Sequence, residues 1–205
     1  LRSALWGTPV EVPEGFTQWS AVMKLAKIQA LMGLVGDVLL TRSEIRETLP
    51  TKFVVRLQEI PMTSVGMHSQ MNMTLQLIVT NLRNHGVEPV LLKGQGLARN
   101  YPTPELRQCG DIDLYVGVQN YAKSYEILKN IVSEIDEQSC LDSDEKHYHA
   151  SVGNIMIEVH RYADIHSSST FNQIYQEYAH IGLSEGLIPI QFGDMVVNTP
   201  ADNFN

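Results

Sequence analysis

Basic charge is scarce in this chain: 15 Lys and Arg stand against 23 Asp and Glu in 205 residues, a formal net charge of −8. Gripping long nucleic acid takes clustered surface cations, so this balance argues against such a partner. Cysteine is scarcer still, with only Cys109 and Cys140. They form no CxxC pair, which excludes a disulfide framework and fits reduced thiols in a cytoplasmic protein. No apolar run approaches the roughly 18 residues of a spanning helix, and no basic-then-apolar leader opens the chain, so no membrane partner is expected. No GxSxG is present, and Ser-based hydrolysis has no support. What is present is ordinary for a globular chain: 43% apolar and 19% charged residues, with length for one domain and a helical appendage.

Residues 1–64 read as an irregular arm to Phe16 followed by helical spacing through Val22, Leu25, Ala26, Ile28 and Leu31. Thr41-Arg-Ser-Glu reads as a helix start, and Pro50 suits the first turn of another helix. A longer helix is expected from Val65 to His85, with Met67, Met71, Leu75, Ile78, Val79 and Leu82 on one face and Gly86 as its C-cap. Val87 to Leu92 reads as a strand, Ala98 to Leu106 as a loop, Ile112 to Val116 as a strand and Tyr121 to Val132 as a helix. The acidic run Ser133 to Glu145 reads as a solvated loop. His147–Val152 and Ile155–His160 alternate around Gly153-Asn154, the pattern of a hairpin. Ser169 to Ile181 has helical character, and Leu187 to Val197 holds short strands. Thr199-Pro200-Ala201-Asp202 has the form of a helix N-terminus, so 199–205 is expected to begin a C-terminal helical region that the chain cuts short.

The chemistry gathers around Asp111 and Asp113. On a strand, alternate side chains share a face and lie roughly 6.5–7 Å apart, so both carboxylates point off the sheet while Ile112 and Leu114 point into the core. Like charges held that close are usually tolerated where a cation sits between them. Glu158 alternates with Ile157 and Val159, and a neighbouring strand would bring it within reach of the two aspartates. Three carboxylates on adjacent strands can hold two divalent cations roughly 3.5–4 Å apart, the clamp for in-line phosphoryl displacement. Oxygen-only donors favour Mg²⁺ or Mn²⁺ over zinc. Upstream, Lys93-Gly94-Gln95-Gly96 forms a glycine turn bearing one cation.

This order of apolar strand, glycine turn, Asp-Ile-Asp strand and later carboxylate resembles the DNA polymerase β-like nucleotidyltransferase superfamily. More closely, Leu92-Lys93-Gly94, Leu97-Ala98, Tyr101-Pro102, Pro104, Arg107, Asp111-Ile112-Asp113-Leu114 and Ile157-Glu158-Val159-His160 resemble its bacterial "uncharacterised nucleotidyltransferase" family. The resemblance implies an α/β (α+β) fold: a nucleotidyltransferase core with a short mixed sheet over 65–198, flanked by N- and C-terminal helical extensions. It implies Asp111, Asp113 and Glu158 as metal ligands, two Mg²⁺ or Mn²⁺ ions, and an NTP whose triphosphate meets the Lys93–Gly96 turn. The wider superfamily carries Gly-Ser in that turn; here Gln95 follows Gly94, and the phosphate-binding hydroxyl is absent.

Three readings follow. The first is transfer of a nucleoside monophosphate from an NTP to the hydroxyl of an unknown small-molecule or protein acceptor, with release of pyrophosphate. The second is a nucleotide- or protein-binding module on a degenerate core, and the third a DxD glycosyltransferase. Arg107 reads either as a loop pin paired to a carboxylate or as a phosphate clamp. His160 shares a face with Glu158, and His147 shares one with His149; these read as satisfied or substrate-facing histidines, with His160 also a candidate general base. Together with His166 they invite comparison with zinc sites, but no HxxxH or Cys/His pattern accompanies them.

Overall fold

Periodicity decides most of the local structure. The computed structural model describes residues 1–142, 145–202 and 204, and the chain divides into two compact units. Asp144 of the acidic run, and Asn203 and Asn205 beyond Thr199, lie outside the described residues.

The first unit comprises Leu1–Ser69 and Leu97–Cys109. It contains α1 (Arg2–Trp6), α2 (Trp19–Ile28), α3 (Met32–Thr41), α4 (Ser43–Arg46), α5 (Thr51–Gln58), the start of α6 (Ile60–Asn84) and a 3-10 turn at Pro104–Leu106. On α2 the buried side chains are Trp19, Met23 and Ala26, one stripe at helical spacing. They pack with Met32, Leu39, Ile45, Leu49 and Leu57. Phe16 meets Trp19 edge to face at 4.9 Å between ring centroids. Gly33 lets α3 lie against the backbone of the 3-10 turn: a Cβ there would sit 2.3 Å from the Leu106 carbonyl oxygen. The Met32 N–H donates to Gln108 Oε1 at 2.9 Å beside this contact.

The second unit comprises Gln70–Gly96 and Gly110–Asn205. Its strands are β1 (Val90–Leu91), β2 (Asp111–Tyr115), β3 (Glu134–Ile135), β4 (His147–Val152), β5 (Ile155–His160), β6 (Ile188–Phe192) and β7 (Met195–Thr199). They form a mixed sheet in the order β3-β4-β5-β2-β1-β7-β6, with β2 parallel to β5 and β1 parallel to β7. Its helices are the remainder of α6, α8 (Gly117–Leu128), α9 (Glu137–Leu141) and α10 (Ser169–Gly182); the short α7 (Gln95–Ala98) runs across the unit boundary. This is the mixed α/β class expected, with the short sheet widened by hairpins at both edges.

One face of the central strands is apolar. Ile112, Leu114, Ile157 and Val159 are all 0% exposed, with Tyr148 and Ala150 of β4 beside them. Tyr121 and Tyr125 of α8 pack edgewise on Tyr148, whose hydroxyl hydrogen-bonds Ser124 Oγ at 2.9 Å. The apolar face of α6 holds as expected for Met71, Leu75, Ile78, Val79 and Leu82, whereas Met67 is exposed. Gly86 takes φ 74°, and the Val87 N–H returns to the Leu82 carbonyl at 2.9 Å, closing α6.

Some elements differ from the sequence reading. α6 begins at Ile60 rather than Val65, because Pro61 falls in the first turn, where its missing N–H is not needed. The arm before Phe16 contains α1. The acidic run is not one loop: Glu134–Ile135 pairs with β4, and Asp136 caps α9 by accepting from the Ser139 N–H at 3.2 Å. Its described acids Glu134, Glu137, Asp142 and Glu145 nevertheless stay exposed. Thr199, whose context suggests a helix cap, ends β7 and donates its hydroxyl to the Leu91 carbonyl at 2.7 Å. Among the described residues no helix is long and apolar enough to cross a membrane.

Candidate active site

The face of the sheet opposite the apolar one is polar by the same alternation. Parallel pairing sets Asp111 against Met156, Asp113 against Glu158 and Tyr115 against His160. Antiparallel pairing of β4 with β5 sets His149 against Glu158 and His147 against His160. Asp111, Asp113, Glu158, His160, His147 and His149 thus occupy one face across three adjacent strands.

Asp113 stands at the centre, 1% exposed. Its Oδ1 accepts from Lys93 Nζ at 3.0 Å and lies 3.2 Å from His160 Nε2. The same His160 nitrogen is 3.3 Å from Glu158 Oε2. His160 therefore links the two carboxylates from beneath; its ring is fully buried and faces them rather than solvent. The ligand atoms of Asp113, Glu158 and His160 all lie within 4.8 Å of one another; among the described residues Asp111 belongs to no such group.

The glycine turn is fixed to this patch. The Leu92 N–H donates to the Asp113 carbonyl at 3.0 Å, and at Gly94, φ 55°, an added Cβ would sit 3.2 Å from the Asp111 carbonyl oxygen. Gly96 leaves no room for a side chain, because a Cβ would sit 2.7 Å from Thr199 Oγ1. Gln95 is 3% exposed, and neither atom of its amide has a hydrogen-bond partner. Arg107 belongs to the helical unit, where it donates to Cys109 Sγ at 3.0 Å while its carbonyl meets His68 Nε2 at 2.6 Å.

The electrostatics match a crowded anionic patch. Burial, followed by repulsion from Asp113 and Glu158, pushes Asp111 above the usual carboxylate range. Glu158 is drawn down to about 2, chiefly by its hydrogen bond with His160 and then by His147 and His149, against the effect of burial. Burial also opposes the charge on His160 and Lys93. For both, the hydrogen bond to Asp113 and the surrounding carboxylates outweigh it and raise the group above its ordinary value. Asp113 Oδ2 is buried with no partner. An unmet carboxylate oxygen beside two further carboxylates suits a hard divalent cation, which takes oxygen donors.

Sequence reasoning singles out each of these positions. It does not foresee the Lys93–Asp113 contact or the double contact of His160; the spacing Glu158-Val159-His160 is the available signal for the latter.

A family model described as "Uncharacterised nucleotidyltransferase" matches residues 16–201. No curated protein and no solved structure matches the chain.

Proposed function

The chain belongs to this uncharacterised nucleotidyltransferase family, and from that premise we propose that it transfers a nucleoside monophosphate from an NTP to an acceptor hydroxyl, releasing pyrophosphate. The observation that carries the reading is the register of Asp113 against Glu158 on parallel strands, with Asp111 two residues before on the same face. Asp111, Asp113 and Glu158 are the residues that would hold Mg²⁺ or Mn²⁺, as two ions. Bound there, the metal supplies Lewis acidity toward phosphoryl oxygens and toward the attacking hydroxyl.

The remaining roles fall to the chain itself. Lys93, whose side chain is 56% exposed, offers a point charge at the rim of the patch, suited to a triphosphate oxygen. His160, touching Asp113 and Glu158 at once, keeps one spacing between them, as outer partners of metal ligands do. Glu158, its carboxyl drawn well below the usual range by His160, would hold the ion beside the acceptor hydroxyl. The buried amide of Gln95 has hydrogen-bonding capacity to spare in the turn where the wider superfamily carries serine.

The test is pyrophosphate release and NTP binding by the full chain with labelled NTPs, Mg²⁺ or Mn²⁺, and a panel of hydroxyl acceptors. Turnover supports transfer; NTP binding without turnover across the panel shifts the reading to a binding module. One observation favours that second reading: Lys93 already places a cation against Asp113. Lys93→Ala is expected to raise the KM for NTP roughly tenfold with little change in kcat, as loss of a contact made equally in ground and transition states does. An unchanged KM would remove Lys93 from the triphosphate site.

Metal should also stabilise the folded chain, because it binds the native carboxylates and not the unfolded ones. At a concentration 100 times Kd the gain is about 2.7 kcal/mol. A thermal melt should therefore shift upward in millimolar Mg²⁺ or Mn²⁺. A Tm unmoved by either ion, with and without nucleotide, would count against the carboxylate site.

A further inference from the structure

A second constellation shares Glu158 but uses nitrogen donors. His149 Nε2 lies 3.4 Å from Glu158 Oε1, and His147 Nδ1 lies 3.8 Å from Glu158 Oε2. The three ligand atoms fall within 4.8 Å of one another. Both separations exceed a normal N–H···O bond. The His149 separation matches the edge of a tetrahedron, in which ligands about 2.0–2.1 Å from a common centre stand roughly 3.4 Å apart, and the His147 separation is wider. We propose that His147, His149 and Glu158 form a three-ligand site for a zinc-class divalent cation, distinct in donor set from the all-oxygen site and joined to it through Glu158.

The local chemistry supports this assignment. His147 Nδ1 is buried without a hydrogen-bond partner. A neutral imidazole with an unused lone pair is the form that binds metal. Imidazole donors favour zinc-class ions, whereas Mg²⁺ prefers oxygen. Two histidines and a glutamate leave the fourth position open. His149, 44% exposed, keeps one of the three ligands open to solvent, which gives the ion an approach. His160 meets Glu158 Oε2 and would orient the shared carboxylate from outside the ligand set.

The HxH spacing resembles none of the helical zinc patterns. On a strand, however, a spacing of two places both rings on one face, and the register of β4 with β5 brings the glutamate beneath them. The site stands whether or not the chain transfers nucleotides.

Co²⁺, a spectroscopic substitute for zinc, tests it without any turnover. The full chain is titrated with Co²⁺ in millimolar Mg²⁺ without nucleotide, reading visible d–d absorption and, by calorimetry, stoichiometry. One equivalent is expected to bind and to be displaced by Zn²⁺. His149→Ala, at an exposed position that the fold tolerates, should weaken Co²⁺ by at least the roughly 10–100-fold typical of outer-shell changes, since a direct ligand is lost. His147→Ala, checked for folding by circular dichroism, should do the same, while Asp111→Asn should change Co²⁺ affinity by less than either histidine variant. Absence of binding by the wild type would overturn the proposal. So would affinity unaffected by His149→Ala, or an Asp111→Asn loss equal to that of the histidine variants.

Discussion

Asp113→Asn is expected to reduce nucleotidyl transfer by about 10³-fold or more, roughly 4 kcal/mol of transition-state stabilisation, while the protein still folds. Asn keeps the size of Asp and an oxygen at the position that meets Lys93 and His160. The His160 Nε2–H can still donate to that oxygen, and the largely exposed Lys93 ammonium remains solvated. The new amide NH₂ falls where Oδ2 is buried without a partner, an arrangement that typically costs about 1–3 kcal/mol. Relief of repulsion with Asp111 and Glu158 offsets part of this cost. Stability therefore changes little, but the charge that would hold the metal is gone. The measurement is pyrophosphate release beside a thermal melt and circular dichroism. A folded Asp113→Asn protein within threefold of wild-type activity would end the catalytic assignment of this strand.

Gly33→Ala is expected to lower stability by about 2 kcal/mol or more, against the usual sign. Inside a helix, Ala is normally better than Gly by about 1 kcal/mol. At Gly33 the added methyl would sit 2.3 Å from the Leu106 carbonyl oxygen and 3.0 Å from its carbon. Both are backbone atoms, so no side-chain rotation relieves the clash. Overpacking of this kind costs about 1–3 kcal/mol and can exceed that when backbone must move. The shift would also strain the Met32–Gln108 hydrogen bond and unseat buried Leu106. Gly66 is the internal control: it lies within α6, and a methyl added there would meet nothing within 4 Å. Gly66→Ala should gain about 0.5–1 kcal/mol. Urea midpoints of the two variants against wild type make the comparison. A Gly33→Ala midpoint equal to that of Gly66→Ala would show that α3 does not bear on the 3-10 turn.

The polar face was legible because strand alternation is a local property. Asp111-Ile112-Asp113-Leu114 and Ile157-Glu158-Val159-His160 each declare which residues share a face before any partner strand is known. What alternation does not specify is pairing. That β5 lies parallel to β2, with Glu158 level with Asp113, depends on contacts 45 residues apart in sequence and emerges only in the fold. The acidic run hid β3 and α9 because exposed, charged elements this short have no apolar period to display. The histidines are visible in the sequence, but HxxxH is a helical spacing, whereas a strand brings such residues together at a spacing of two.

The shared register of β2, β4 and β5 has a consequence for how this protein can change over time. Substitutions can erase Glu158 or Asp113 one at a time and leave the sheet standing. Length changes cannot be so selective. A single residue inserted within β5 between Met156 and Ile157, with Ile155 holding its place opposite Val152, would carry Ile157 and Val159 to the polar face and Glu158 into the apolar one. Function and foldability would then fail together, so drift in this hairpin should run through residue identity and spare residue number.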